Sequence, residues 1–281
     1  MVEPLGFEAV RAALTEDRVR EDVTTALLGA GADRSAVGTF IAEEPCVVAG
    51  LPVAAEVFRQ LGVCEALVPL VEEGAGAGPG QPIAEVRGPA RQLLAGERTA
   101  LNFLQRLSGI ATATRAVVDA VAGTGAVVTD TRKTTPGLRE LEKYAVRMGG
   151  GTNHRAHLAD AVLWKDNHWA LLGGADLADA LTRAPAGIPV VVEAETQEQF
   201  QTALDAGVTR ILVDNRTPAQ VKAWVRKAGK GVAIEASGGI RPDTARAYAE
   251  AGARYLSIGA LTHSARAVGI RLDLALEEPR W

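Results

Sequence analysis

Between residues 129 and 168 the chain gathers cationic and polar side chains in loops that follow apolar runs. The stretch reads Thr129-Asp130-Thr131-Arg132-Lys133-Thr134-Thr135-Pro136-Gly137, then Gly149-Gly150-Gly151-Thr152-Asn153-His154-Arg155, then Leu163-Trp164-Lys165-Asp166-Asn167-His168. Three of the four histidines fall here, at positions 154, 157 and 168. Ordinary surface lysines and arginines occupy the outer faces of helices. Arg132, Lys133, Arg155 and Lys165 instead follow apolar runs, and together they point to a pocket for a strongly anionic molecule. The three-residue spacing of His154 and His157 is compatible with zinc, but no cysteine pair is near and the surrounding cations repel a metal ion, so anion binding is the favoured reading. His154, beside Arg155, is the stronger candidate; His157 and His168 read equally well as surface or packing residues.

Acidic and small residues supply the complementary chemistry. Glu193, Glu195 and Asp214 stand at the ends of two later apolar runs, where carboxylates suit ribose hydroxyls or Mg2+. The plainer role, charge balance for Lys165 and Arg132, weighs nearly as much for Glu195 and less for Glu193 and Asp214. Ser237-Gly238-Gly239 precedes Ile240-Arg241-Pro242 and a helix, so backbone amides there can approach a phosphate at a favourable helix end. Ile258-Gly259-Ala260-Leu261-Thr262 repeats the arrangement one unit later, and paired phosphate loops after the last two strands recur in α/β barrels. The glycine-rich run at residues 74–80 has a different meaning: Pro79 and the strand-like segment after it make it a turn, since a phosphate loop must open a helix.

The elements that must position these groups follow from the apolar pattern. Runs at residues 126–130, 161–165, 189–193, 210–214, 232–236 and 255–259 read as buried parallel strands. Helices are predicted between them at 138–148, 177–183, 197–206, 218–228 and 242–251. Nearly every run ends in a chemically capable residue, as expected of the carboxyl-terminal face of a parallel α/β barrel. The stretch from residue 125 onward is shorter than the roughly 250 residues of a full eight-stranded barrel, so an incomplete, open barrel is predicted. Its open side needs a cover, from the N-terminal domain or a second subunit.

Ahead of the barrel, residues 7–14 have helical spacing, 16–25 are polar and acidic like a loop, and 37–90 hold short apolar runs with one helix at 53–61. Residues 93–121 predict a long helix with a break near Gly109. The fold class is therefore α/β, an open parallel α/β barrel over residues 109–268 behind an N-terminal α+β sandwich-like domain over 1–108, with the tail 269–281 packed on that domain. At 281 residues, 47% hydrophobic and 23% charged, the chain has globular composition, and a net charge of −4 argues against a broad nucleic-acid surface. The first residues lack a signal-peptide pattern and no run approaches roughly 18 apolar residues, so neither secretion nor a membrane span is expected and the cytoplasm is the predicted setting. Cys46 and Cys64 read as buried thiols.

Several motifs together resemble one family. They are Glu97-Arg98-Thr99, residues 107–112 (Leu-Ser-Gly-Ile-Ala-Thr), residues 130–137, residues 149–155, Lys165-Asp166-Asn167-His168, Ser237-Gly238-Gly239 and residues 259–263. On these, and over essentially its whole length, the chain is similar to the quinolinate phosphoribosyltransferases, the carboxylate-losing nicotinate-nucleotide pyrophosphorylases of NAD biosynthesis. The resemblance implies phosphoribosyl transfer from phosphoribosyl pyrophosphate to quinolinate with loss of CO2, and a homodimer, open to further assembly, in which one N-terminal domain closes the other's barrel. It implies that Arg98 reaches the partner's site and that Arg132, with Thr131 beside it, His154, Arg155 and Lys165 bind the two carboxylates. It further implies Lys133 on the pyrophosphate side, Glu193 and Asp214 on ribose hydroxyls and Mg2+, and Ser237, Gly238, Gly239, Ile258, Gly259 and Ala260 around the 5′-phosphate, with His263 nearby. Lys133, Lys165, Glu193 and Asp214 are the implied catalytic groups. Departures from the family pattern fall at Val19, Glu21, His157, Trp164 and Trp169; strand alternation predicts that Trp164 points away from the face presenting Lys165. The competing readings are a paralogue acting on another pyridine or related acid, and a non-catalytic sensor of phosphorylated metabolites.

Overall fold

The structure, a computed structural model, describes residues 3–63 and 67–277. Cys64 and the start of the apolar run at 66–71 lie outside the described residues, as do the last four of the tail. The chain divides into two compact units, one of Met1–Arg115, Thr135–Gly150 and Thr262–Trp281, the other of Ala116–Thr134 and Gly151–Leu261. Among the described residues no helix is long and apolar enough to cross a membrane.

In the first unit an antiparallel sheet has the order Ile270–Leu276, Ser35–Ala42, Pro82–Pro89, Val68–Pro69. Ser35–Ala42 alternates buried and less buried residues, the period-two pattern of a strand with one face in a core. A second, two-stranded pairing joins Cys46–Val47 to Gly76–Ala77. The run at 74–80 is not one continuous turn: Gly76–Ala77 at its middle is strand, and turns flank it, where Gly74 has φ +81° and its amide donates to Val48 O, while the Gly80 amide donates to Ala42 O. Cys46 is a free, buried thiol whose pKa burial pushes up. Helix Leu51–Gln60 starts on a distant carboxylate, since Glu73 accepts from the Gly50 and Leu51 amides and from the Tyr144 hydroxyl. The stretch expected to be a loop at 16–25 holds a short 3-10 turn, Val19–Glu21, and a one-turn helix, Val23–Ala26, because Asp22 caps it by accepting from the Thr24 and Thr25 amides.

Helix Ala90–Ala120 runs without the interruption predicted at Gly109. That glycine serves tertiary packing: a Cβ placed there would lie 2.0 Å from Arg266 O, so the backbone of the returning chain crosses the helix at this point. On helix propensity alone Gly109→Ala would stabilise by about 1 kcal/mol. The clash is with backbone that cannot swing aside, and overpacking of that kind costs about 3 kcal/mol. The substitution is therefore expected to lower stability, read as a fall in the denaturant midpoint; a rise would show that the segment at 266–267 yields freely.

The second unit holds six parallel strands in the order Val127–Thr129, Tyr255–Ser257, Ala233–Ser237, Arg210–Asp214, Val190–Glu193, Val162–Trp164. Numbered along the chain, the first strand (Val127–Thr129) neighbours the sixth (Tyr255–Ser257), and the sheet stays open between the first and the second (Val162–Trp164). Residues that must be dry are so, with Ile211, Val213 and Leu256 fully buried, each contributing about 1.5–3 kcal/mol. Helices return the chain between strands, and Thr196 and Thr217 start two of them with reciprocal caps from Gln199 and Gln220. At the open edge, Thr152 bridges Thr129 in parallel, its amide donating to Val128 O. That bridge carries the segment after Gly151 along the exposed side of the first strand. One helix absent from the sequence reading, Asp166–Leu172, begins directly after Lys165.

Candidate active site

The strand register sets the site's floor. Glu193, Leu212, Glu235 and Tyr255 stand side by side across four strands, and Asp214, Ser237, Ser257 and Thr129 form the row two residues nearer the carboxyl-terminal rim. Because side chains alternate, both rows project from the same face of the sheet. Loops carry most of the other predicted residues of this unit: Thr131, Arg132 and Lys133 after the first strand, His154 and Arg155 ahead of the second and Lys165 after it, Gly238 and Gly239 after the fifth, and Ile258 and Gly259 after the sixth, where Ala260 opens the helix Ala260–His263.

Cations and carboxylates meet at this rim. Lys165 Nζ lies 3.6 Å from Glu193 Oε2. Burial first, then the Asp214 carboxylate, push the Glu193 pKa above its ordinary value, while Lys165 opposes them. A carboxyl raised in the fold favours folding while protonated, so its contribution is present at low pH and is lost as pH rises through the folded value. We expect Asp214→Asn to move the Glu193 titration to lower pH and Lys165→Met to move it higher, as read by carboxyl carbon NMR. Unchanged titration in both variants would separate these three groups.

Arg132 and Arg155 form the other half. Burial, and after it the neighbouring Arg132 guanidinium, push the Arg155 pKa below its ordinary value, with Asp160 opposing. Arg155 Nη1 donates to Ala161 O at 2.9 Å. The Nε atoms of both arginines are buried and have no hydrogen-bond partner among the described residues. Two mutually repelling guanidiniums with unspent buried donors are costly unless an anion completes them. The loop is pinned beneath: buried Asp130 accepts from Asn153 Nδ2 at 2.6 Å and from the His154 amide at 2.8 Å, and the Lys133 amide donates to Thr131 Oγ1 at 3.0 Å.

At the phosphate-type loop Gly238 has φ +89° and Gly239 φ +63°, and a Cβ on Gly238 would fall 2.2 Å from Asn215 Oδ1. Only glycine fits there. Asn215 itself has φ 52°; its amide donates to Ser237 O and its Nδ2 to Asp214 Oδ2 at 2.8 Å, so one residue ties the Asp214 carboxylate to the glycine loop.

The comparisons with known proteins fall on these same elements. The quinolinate phosphoribosyl transferase C-terminal domain model matches residues 110–273 and the N-terminal domain model residues 22–108. The chain is 44% identical over 275 residues to a Mycobacterium leprae nicotinate-nucleotide pyrophosphorylase [carboxylating], covering 95% of this chain and 96% of that protein. The chain belongs to the quinolinate phosphoribosyltransferase family. The human nicotinate-nucleotide pyrophosphorylase [carboxylating] is 41% identical over 278 residues, covering 95% of this chain and 92% of its own. A solved nicotinate-nucleotide pyrophosphorylase from Ehrlichia chaffeensis superposes with a TM-score of 0.90 at 34% identity, covering 98% of this chain and all of that one.

Against the expectations carried by that family, the second unit gathers Arg132, Lys133, Arg155, Lys165, Glu193, Asp214, Ser237, Gly238, Gly239 and Gly259 on strand ends and following loops. Arg98, exposed on helix Ala90–Ala120, and His263, whose Nδ1 lies 2.6 Å from Ser264 Oγ, belong to the first unit. His154 is held by the protein at both ring nitrogens: its Nδ1 accepts from the Arg155 amide at 2.8 Å and its Nε2 lies 3.4 Å from buried Glu235. His157 is exposed, its amide held by Asp160. His168 stacks near Trp164 at 5.5 Å, and its Nδ1 accepts from the Lys165 amide. Trp169 Nε1 donates to Glu193 O at 2.8 Å, so its indole holds the end of the Glu193 strand. Sequence reasoning missed Asn215, Arg210 and the importance of Glu235; the available signal was an arginine opening one apolar strand and a glutamate inside the next.

Among the described residues no cluster of three or more metal-type side chains exists. A pair of oxygen donors is nonetheless what Mg2+ uses when it shares its sphere with substrate phosphates and water, and Glu193 and Asp214, on neighbouring strands, project from the same face of the sheet near its rim.

Proposed function

We propose that the carboxyl-terminal rim of the second unit performs the family's reaction, quinolinate phosphoribosyl transfer with decarboxylation in NAD biosynthesis, with the following division of labour. The observation that carries this reading is the pair of buried Nε donors on Arg132 and Arg155, which have no partner among the described residues and suit a planar aromatic dicarboxylate. Lys165 adds a third positive charge beside Glu193. Held there, the pyridine nitrogen attacks C1 of the ribose while the C1–oxygen bond to pyrophosphate breaks. Glu193 and Asp214 take the ribose hydroxyls and Lys133, its amide fixed on Thr131 Oγ1, the pyrophosphate. Ser237, Gly238, Gly239, Ile258, Gly259 and Ala260 surround the 5′-phosphate.

After the new N–C1 bond forms, the ring nitrogen is cationic. The bond between the adjacent ring carbon and its carboxylate then breaks, CO2 leaves, and the electron pair stays on a carbon that takes up a proton. The protein's contribution is to orient the two substrates and to neutralise charge, with no protein nucleophile required. Glu193 and Asp214 would hold Mg2+, which when bound supplies positive charge to the departing pyrophosphate.

Arg98 serves the site of a second copy of the chain, so the working enzyme is a homodimer of the cytoplasm. An exposed arginine on a rigid helix is suited to that task, and the free thiol of Cys46 suits a reducing compartment. The deciding assay follows quinolinate, CO2, pyrophosphate and nicotinate mononucleotide together. The reading expects equal amounts of each. Consumption of another pyridine acid without CO2 favours a paralogous transferase, and binding without pyrophosphate release a sensor.

A further inference from the structure

Beneath the cationic rim the open barrel contains a carboxylate that the reaction does not use. Glu235 is wholly buried in the strand Ala233–Ser237. Its Oε2 accepts from Arg210 Nε at 2.7 Å, its Oε1 accepts from the Ser257 hydroxyl, and His154 Nε2 lies 3.4 Å from that same Oε1. Ser257 in turn shares a hydrogen bond with Thr129 Oγ1 at 2.7 Å. The network thus reaches from the fourth strand, across the fifth and sixth, to the first.

A buried carboxylate costs several kcal/mol to desolvate and persists only when its oxygens are well met. Here burial pushes the Glu235 pKa up, but its partners outweigh it and the carboxyl sits below its ordinary value, with the always-charged Arg210 guanidinium bound to Oε2 whatever the state of His154. An ionised carboxylate only accepts, so the His154 nitrogen facing it must carry the proton. At the other side of the ring the Arg155 amide, a donor, points at Nδ1 from 2.8 Å, so Nδ1 must be bare. Two independent neighbours therefore specify one neutral tautomer, and both ring nitrogens are engaged by the protein. The main chain alongside is fixed by Asp130.

We infer that Glu235 is a positioning residue: it locks the His154 imidazole as the Nε2–H tautomer, and the bare Nδ1 then holds the Arg155 amide and so places the Arg155 guanidinium. On this account His154 stabilises the anion site from behind and donates no hydrogen bond to the substrate. The kinetic consequence rests on the proposed binding of a substrate carboxylate by Arg155, whereas the tautomer stands on the protein's own contacts.

Two measurements test this. Long-range 1H–15N spectra of the wild-type protein, with the His154 signals identified by their loss in His154→Asn, are expected to show a neutral Nε2–H ring at neutral pH. An Nδ1–H ring or an imidazolium overturns the inference, whatever the activity proves to be. In steady-state assays Glu235→Gln and His154→Ala are expected to raise KM for quinolinate at least tenfold, the scale of one lost charge-assisted contact, with little change in KM for phosphoribosyl pyrophosphate. His154→Asn, whose Oδ1 can replace Nδ1 as acceptor for the Arg155 amide, is expected to recover most of what His154→Ala loses. Equal losses in the two His154 variants mean that Nε2–H meets the substrate directly and overturn the positioning role. Should Glu235→Gln fail to fold, the wild-type spectrum and the two His154 variants decide alone.

Discussion

Arg132→Lys is expected to raise KM for quinolinate by about 10- to 100-fold while leaving KM for phosphoribosyl pyrophosphate within about threefold, since one hydrogen bond to a charged group is worth roughly 1.5–3 kcal/mol. Lysine preserves the charge at this position, so a purely coulombic site would hardly register the exchange. What it removes is the planar fork and its Nε donor, which is buried and has no partner among the described residues. The repulsion between Arg132 and Arg155 sharpens the expectation, because the pair is favourable only when a ligand accepts from both. Equal losses for the two substrates would remove Arg132 from the carboxylate site.

The second large effect concerns assembly. Arg98→Ala and Lys165→Ala proteins are each expected to be inactive, and mixing them under conditions of subunit exchange is expected to return about a quarter of wild-type activity. Random exchange makes half of the dimers mixed, and each mixed dimer holds one site with both residues intact and one with neither. Lys165 sits beside Glu193 in the second unit and Arg98 on an exposed helical position of the first, so neither change disturbs the other's surroundings within those units. Mixed dimers that form without activity would show that Arg98 does not serve a partner's site.

Much of this architecture was legible because the chain's periodicity and its chemistry coincide. Apolar runs of parallel-strand length end in Lys165, Glu193 and Asp214, and each capable residue marks the rim of a strand whose interior must be dry. The helix Pro218–Ala228 appears where its Thr217 cap and Pro218 place it. What escaped has a common cause, dependence on contacts distant in sequence. Gly109 looks like a helix break until the chain at Arg266 is seen to cross it. Asn215 looks like one more loop residue until its left-handed backbone brings it against Gly238. Helix Asp166–Leu172 carries no buried apolar face for periodicity to reveal; its start is fixed locally by His168 accepting from the Lys165 amide. Likewise His154 and Glu235 are 81 positions apart, and only the folded chain brings the imidazole to within 3.4 Å of the buried carboxylate.

The most direct measurement of the anion site is a crystal structure of the dimer with quinolinate bound. Carboxylate oxygens within about 3 Å of Arg132 Nε and Arg155 Nε, with Lys165 alongside, are the expected result. Quinolinate seated elsewhere, with both guanidiniums turned to solvent, would contradict it.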